Sequence, residues 1–187
     1  MTTYFATKGR ENARATCELA VQRAVDLGIK HIVVATTDGN TPPMLLDLAE
    51  GKGIHIVVVT HVTGHKTPGV QECPPERRRE FMARGADVLT TTHIFANVER
   101  TITKQFSGLY PGGIISATLR CFGQGTKVCF EISVMAKDAG LIPHGEEIIA
   151  VAGTGRGADT AMVLKPGHGQ DFFSTEVMEY ICKPRGR

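Results

Sequence analysis

Apolar residues recur along this chain with two periods, and the alternation between them sets the expected fold. From Glu11 to Leu27, Cys17, Ala20, Val21, Ala24 and Val25 fall on one stripe at helical spacing, and Gly28 follows where a left-handed cap ends a helix. His31–Ala35 is then short, β-branched and apolar on both faces, as a strand covered by helices on both sides should be. Pro42 and Pro43 suit the first turn of a helix reaching about Glu50, Gly51 and Gly53 close it, and Ile54 to Val59 reads as the next buried strand. A further helix over Glu76 to Arg84 and a weaker strand over Asp87 to Thr90 repeat the unit. Asn97 to Phe106, Gly112 to Phe122 and Thr126 to Ala139 read as helices. Glu147 to Ala152, Thr160 to Leu164 and Glu176 to Ile181 read as closing strands, with an antiparallel edge because no helix separates the first two. The loop His61 to Cys73 exceeds the usual α/β connection of about 2–6 residues and is the lid candidate.

Composition narrows the class. A chain of 187 residues can bury one good core, so a single domain over 1–187 is expected. Twenty-one basic against 19 acidic residues give a charge too small to imply nucleic acid or an anionic membrane as partner. The start Met1-Thr-Thr-Tyr-Phe-Ala-Thr-Lys lacks the basic segment and apolar core of a signal peptide, and no run is long and apolar enough to span a bilayer, so a cytoplasmic location is expected. Five cysteines without a C-x-x-C pair speak against a disulfide framework and a zinc ribbon. His61-x3-His65 with Cys73 offers zinc spacing within one loop but lacks a second cysteine, so no metal is expected.

Candidate chemistry comes from two glycine-rich loops, Thr36-Thr37-Asp38-Gly39-Asn40-Thr41 and Gly153-Thr154-Gly155-Arg156-Gly157, each following a buried strand. In an open α/β sheet, loops leaving the carboxyl ends of central strands line the ligand crevice. A helix that precedes a strand in a right-handed crossover has its N-terminus at that strand's carboxyl end. Gly9-Arg10-Glu11-Asn12 should therefore sit beside the first loop, and Phe122-Gly123-Gln124-Gly125 beside the second. His93 follows the third strand to the same rim. Backbone N–H groups of Gly39, Asn40, Gly155 and Gly157 could hold a phosphate, hydroxyls of Thr36, Thr37, Thr41 and Thr160 could add to it, and Arg156 could supply charge. Asp38 would repel a phosphate unless it turned away or capped the Pro42 helix.

These loops, with His93, Phe122-Gly-Gln-Gly125 and Gly153-Thr-Gly-Arg-Gly-Ala-Asp-Thr160, resemble stand-alone prokaryotic proteins similar to the C-terminal α/β domain of pyruvate kinase. The resemblance covers nearly the whole chain. It implies a three-layer α/β/α sandwich whose mostly parallel sheet has the order 3-2-1-4-5, counting the strand at 31–35 as the first, with an antiparallel edge strand. In many pyruvate kinases this domain binds a phosphorylated effector through a loop corresponding to Thr36–Thr41, and some stand-alone relatives look able to hold a flavin mononucleotide-like ligand. This sequence departs from the usual Ser-Gly pair by Asp38-Gly39 and from the usual helix start by Pro42-Pro43.

Other chemistry is thin. Gly153-Thr-Gly-Arg-Gly-Ala158 fits the dinucleotide fingerprint, yet a strand follows where the fingerprint demands a helix. Neither a nucleophile elbow nor a Walker lysine motif occurs, and Glu131 and Asp138 face no obvious partner. His31 and His55 read as solvent-facing or satisfied strand histidines. With 6% aromatic residues, Phe122 and Phe172 are the nearest stacking platforms for a flavin ring. The expectation is a binder of a phosphorylated small molecule, flavin mononucleotide or another nucleotide first. The alternatives are an enzyme on a phosphorylated metabolite with His93 as acid or base, and a regulatory or homo-oligomerising module without ligand.

Overall fold

A computed structural model describes residues 1–186 of the chain. The elements run β1 (Thr3–Phe5), a 3-10 turn (Arg10–Asn12), α1 (Ala13–Leu27), β2 (His31–Thr36), α2 (Pro42–Ala49), β3 (His55–Thr60) and α3 (Pro75–Ala83). They continue through β4 (Asp87–Leu89), α4 (Val98–Phe106), α5 (Pro111–Cys121), α6 (Gln124–Asp138), β5 (Ile148–Ala152), β6 (Thr160–Lys165), a 3-10 segment (Gly169–Ser174) and β7 (Glu176–Pro184).

The described strands form one sheet of order β1-β7-β6-β5-β2-β3-β4. β2 pairs in parallel with β3 and β5, β3 with β4, and β6 runs antiparallel to β5 and β7. The expected order 3-2-1-4-5 is the run β4-β3-β2-β5-β6. Beyond it, β7 and then β1 extend the sheet, β1 lying parallel to β7. The C-terminal residues 183–184 complete β7, and the Arg185 N–H donates to the Phe5 carbonyl at 3.0 Å.

Period-two alternation within the strands divides the core into two layers. Ile32, Val34, Ile56, Val58, Ile149 and Val151 pack with α1, α2 and Phe81 of α3. Val33, Val57, Val59, Ile148, Ala150 and Ala152 pack with Cys129, Ile132, Met135 and Ala136 of α6. Both faces are covered, which is why these strands are apolar at successive positions. Because β2 and β5 are parallel neighbours, the loops that follow them leave the same edge of the sheet, where the strand order reverses direction. The head of α6, which precedes β5 in the chain, lies at that edge too.

Candidate functional site

At this edge a buried carboxylate ties the chain together. Asp159, fully buried, accepts the Gly9 N–H at 2.8 Å and the Thr154 N–H at 3.2 Å through Oδ2, and the Thr160 hydroxyl at 2.8 Å through Oδ1. The turn between β5 and β6 is thereby fixed to the start of α1. Gly153 and Gly157 are required by close approach, since a Cβ would stand 2.2 Å from the Gly157 carbonyl oxygen and 2.4 Å from Arg10 Cα respectively. Arg10 then reaches both loops, donating through Nε to the Arg156 carbonyl at 3.4 Å and pairing with Asp38 at 3.2 Å.

A cleft of about 300 Å³ opens between the loops. One wall is Thr36, Thr37, Asp38 and Thr41; the other is Gly153, Gly155, Arg156 and Gly157. Val59, Val128, Ile132 and Met135 give it an apolar floor, and Arg100, Arg120, Gln124, Lys127 and Glu131 line its far end. The Lys127 and Glu131 side chains are buried, 7% and 5% exposed, and form an ion pair one helical turn apart on α6. Glu131 also accepts the Phe95 N–H at 3.2 Å. Burial pushes the Lys127 ammonium below its ordinary pKa, against the opposing pull of Glu131.

Three histidines form the remaining wall. The rings of His61 and His65 are 4.2 Å apart, and His93 lies 5.5 Å from the first and 5.8 Å from the second. Burial drives His93 down to about 4, with the neighbouring histidines and Lys127 adding to the fall and Glu131 opposing it. Its Nε2 accepts the Val62 N–H at 3.3 Å, which places the neutral ring's proton on Nδ1. His65 is likewise lowered, chiefly by burial. Burial alone would raise the Glu72 carboxyl, but hydrogen bonds from Lys66 and His61 outweigh it and hold the group at about 2.

Of the residues singled out in the sequence, Thr36, Thr37, Thr41, His93, Gln124, Gly153, Gly155, Arg156 and Gly157 line the cleft. Asn40 lines an adjoining hollow with Arg10, Asp38 and Arg156, and its N–H, expected to hold a phosphate, donates instead to Asp38 Oδ1 at 3.3 Å. Five others are spent on the fold. Thr154 and Thr160 serve Asp159, the Gly39 N–H donates to Thr36 Oγ1 at 3.0 Å, Asn12 Nδ2 donates to the Thr7 carbonyl at 3.0 Å, and the Gly123 N–H donates to the Arg120 carbonyl at 3.1 Å. Asp38 neither turns away nor caps α2; its charge is met by Arg10.

Several further expectations are corrected. Phe122 and Phe172 do not face the cleft: Phe122 is 56% exposed, and Phe172 packs on Phe95, Phe130 and Phe173. Glu131 and Asp138 both have partners, Asp138 accepting from His168 Nδ1 at 2.9 Å and from the Gly169 N–H at 3.1 Å. His55 is satisfied by Asp87 at 2.8 Å, whereas the His31 Nδ1 is buried without a hydrogen-bond partner among the described residues. Sequence reasoning missed Arg100, Arg120, Lys127, Glu131, His61 and His65 as cleft residues. The head of α6 marked Lys127 and Glu131, one and two turns past Gln124 on the same helix, and the lid-candidate loop carried His61 and His65, but nothing local marked Arg100 or Arg120.

The family model of the pyruvate kinase α/β domain matches residues 14–164, which span β2 through β6 and the cleft they carry. The chain belongs to that family. As a pyruvate kinase α/β domain it is also similar to solved pyruvate kinases from Cryptosporidium parvum. One is 21% identical with a TM-score of 0.44, covering 82% of this chain and 22% of the other. A second is 18% identical with a TM-score of 0.39, covering 90% of this chain and 22% of the other. This pyruvate kinase α/β domain therefore spans about a fifth of the length of those enzymes. Among its described residues, no helix is long and apolar enough to cross a membrane.

Proposed function

We propose that this protein binds a phosphorylated small molecule, with flavin mononucleotide or a similar nucleotide as the first candidate, in the cleft between the loops after β2 and β5. One observation carries the proposal: Arg100, Arg120, Lys127 and Arg156 converge on a cleft that also has an apolar floor. Glu131 and Asp38 each have a cationic partner, so the basic residues outnumber the acidic ones there. Arg156 is exposed and makes no side-chain hydrogen bond or ion pair among the described residues, which leaves its planar fork for a phosphate. Val59, Val128, Ile132 and Met135 would lie under a planar ring, with the histidines at its side. A volume near the lower end of the range for ligand sites suits a compact ligand. The helix start at α2 contributes little, because Pro42 and Pro43 lack N–H groups.

An enzyme using His93 as acid or base is favoured less. A ring held at about 4 is a weak base near neutrality, and its Nε2 is already engaged.

The test is a fluorescence titration of ligand-stripped protein with flavin mononucleotide, nucleotides and sugar phosphates, alongside mass spectrometry of what co-purifies. Saturable binding of one phosphorylated compound is expected, weakened about 10- to 100-fold by Arg156→Ala, the loss of a hydrogen bond to a charged group. Binding unaffected by that change, or no binding by any compound, overturns the proposal.

A further inference from the structure

The loop after β3 holds two imidazoles and a carboxylate that the proposed anion site does not need. The His65 N–H donates to the Val62 carbonyl at 3.2 Å, a tight turn that lays the His65 ring against His61. Gln71 pins the returning strand of the loop, donating through Nε2 to the His61 carbonyl at 2.8 Å and accepting the Cys73 N–H at 2.9 Å. Glu72 is thereby set beside His61, with Oε2 2.9 Å from His61 Nδ1. One donor atom from each of His61, His65 and Glu72 lies within 4.8 Å of the others. Cys73, the third ligand that the spacing alone would suggest, is buried, with its sulfur toward Gly39.

From this arrangement we infer that His61, His65 and Glu72 form a binding site for one zinc-class divalent cation at the mouth of the cleft. Two imidazoles and one carboxylate are a donor set that such cations take, with a fourth position left open. Metal–ligand bonds of about 2.0–2.2 Å put tetrahedral donors roughly 3.4 Å apart, a spacing that the His61–Glu72 pair already meets and that His65, whose donor lies within 4.8 Å of the other two, reaches by a side-chain adjustment. Lys66 opposes the cation, its Nζ standing 2.7 Å from Glu72 Oε1. That side chain is 57% exposed, so it can turn into water and release the carboxylate. Because His61 and His65 line the cleft, the open coordination position faces it and would take a water or an anionic oxygen.

The site stands independently of the phosphate proposal, and its test uses no phosphate. Tag-free, chelator-treated protein is titrated with Co(II), read by its visible absorbance, and the Co(II) is then displaced with Zn(II). One equivalent should bind. Loss of an outer-shell partner alone costs about 10–100-fold in affinity, so His65→Ala and Glu72→Gln should each weaken binding by at least roughly 100-fold. Lys66→Gln should tighten it, and Cys73→Ala and Arg156→Ala should leave it unchanged, with circular dichroism confirming that every variant is folded. Absence of stoichiometric binding, its survival in folded His65→Ala, or its loss in Cys73→Ala overturns the inference.

Discussion

At the scale of single residues, buried charges decide what the rim can do. Asp159 takes up the Thr160 hydroxyl that the sequence offered to a ligand, acting as a permanent internal anion for that group and for the Gly9 and Thr154 N–H groups. Asp159→Asn keeps the shape, but with its oxygen at the Oδ2 position its NH2 faces the Thr160 hydroxyl, whose proton loses its acceptor, and in the reverse orientation the NH2 faces the Gly9 and Thr154 N–H groups. At least one buried donor is left unsatisfied, so unfolding free energy in urea should fall by about 1–3 kcal/mol. A variant as stable as the parent would show that the carboxylate's charge is irrelevant to the turn. Lys127 and Glu131 allow a sharper experiment. Removing one member of a buried ion pair strands the other charge, so Glu131→Leu should cost about 3–5 kcal/mol, with the orphaned Phe95 N–H adding to it. The double variant Lys127→Met with Glu131→Leu should recover most of that loss. Equal stability of the single and double variants would mean that the pair is not coupled.

Among the elements, legibility followed burial. Strands β2, β3 and β5 were readable because both faces are covered, which makes each a short apolar run between glycine-rich turns. β1 was not, since Thr3–Phe5 is a three-residue edge strand with Tyr4 exposed, and its pairing with β7 depends on residues from the far end of the chain. α6 was read correctly despite β-branched residues, because Val128, Ile132, Met135 and Ala136 keep one face against the sheet. That helix also comes unusually near β6. A Cβ on Gly125 would lie 2.2 Å from Thr160 Oγ1, so Gly125→Ala must push Thr160 off Asp159 and should destabilise by roughly 1–3 kcal/mol. Gly113 in α5 is the control, with nothing within 4 Å of an added Cβ. Gly113→Ala should stabilise by about 0.5–1 kcal/mol through helix propensity alone. Thermal melts of the two variants moving in the same direction would refute the packing argument.

For the molecule as a whole, the cleft was legible as far as handedness and topology carry it. Right-handed crossovers bring the loops after β2 and β5 to one edge, and residues 36–41 and 153–157 do face each other across the cleft. The histidine wall was illegible because His93 comes from a different loop from His61 and His65, and no local pattern encodes that meeting. A ligand held between these loops touches segments from both halves of the chain, so binding should stabilise the whole fold. At 100 times its Kd, a ligand adds about 2.7 kcal/mol to the unfolding free energy. For a chain of this size each kcal/mol moves Tm by roughly 2–4 °C, so a rise of about 5–11 °C is expected. Arg156→Ala should melt like the parent when free, since the exposed guanidinium holds nothing else in place. If that substitution weakens binding about 100-fold, the same ligand concentration only equals its Kd, and the gain shrinks to about 0.4 kcal/mol, roughly 1 °C. Equal shifts in parent and variant would place the ligand away from the β5–β6 turn. A lower melting point of the free variant would instead make Arg156 a structural residue.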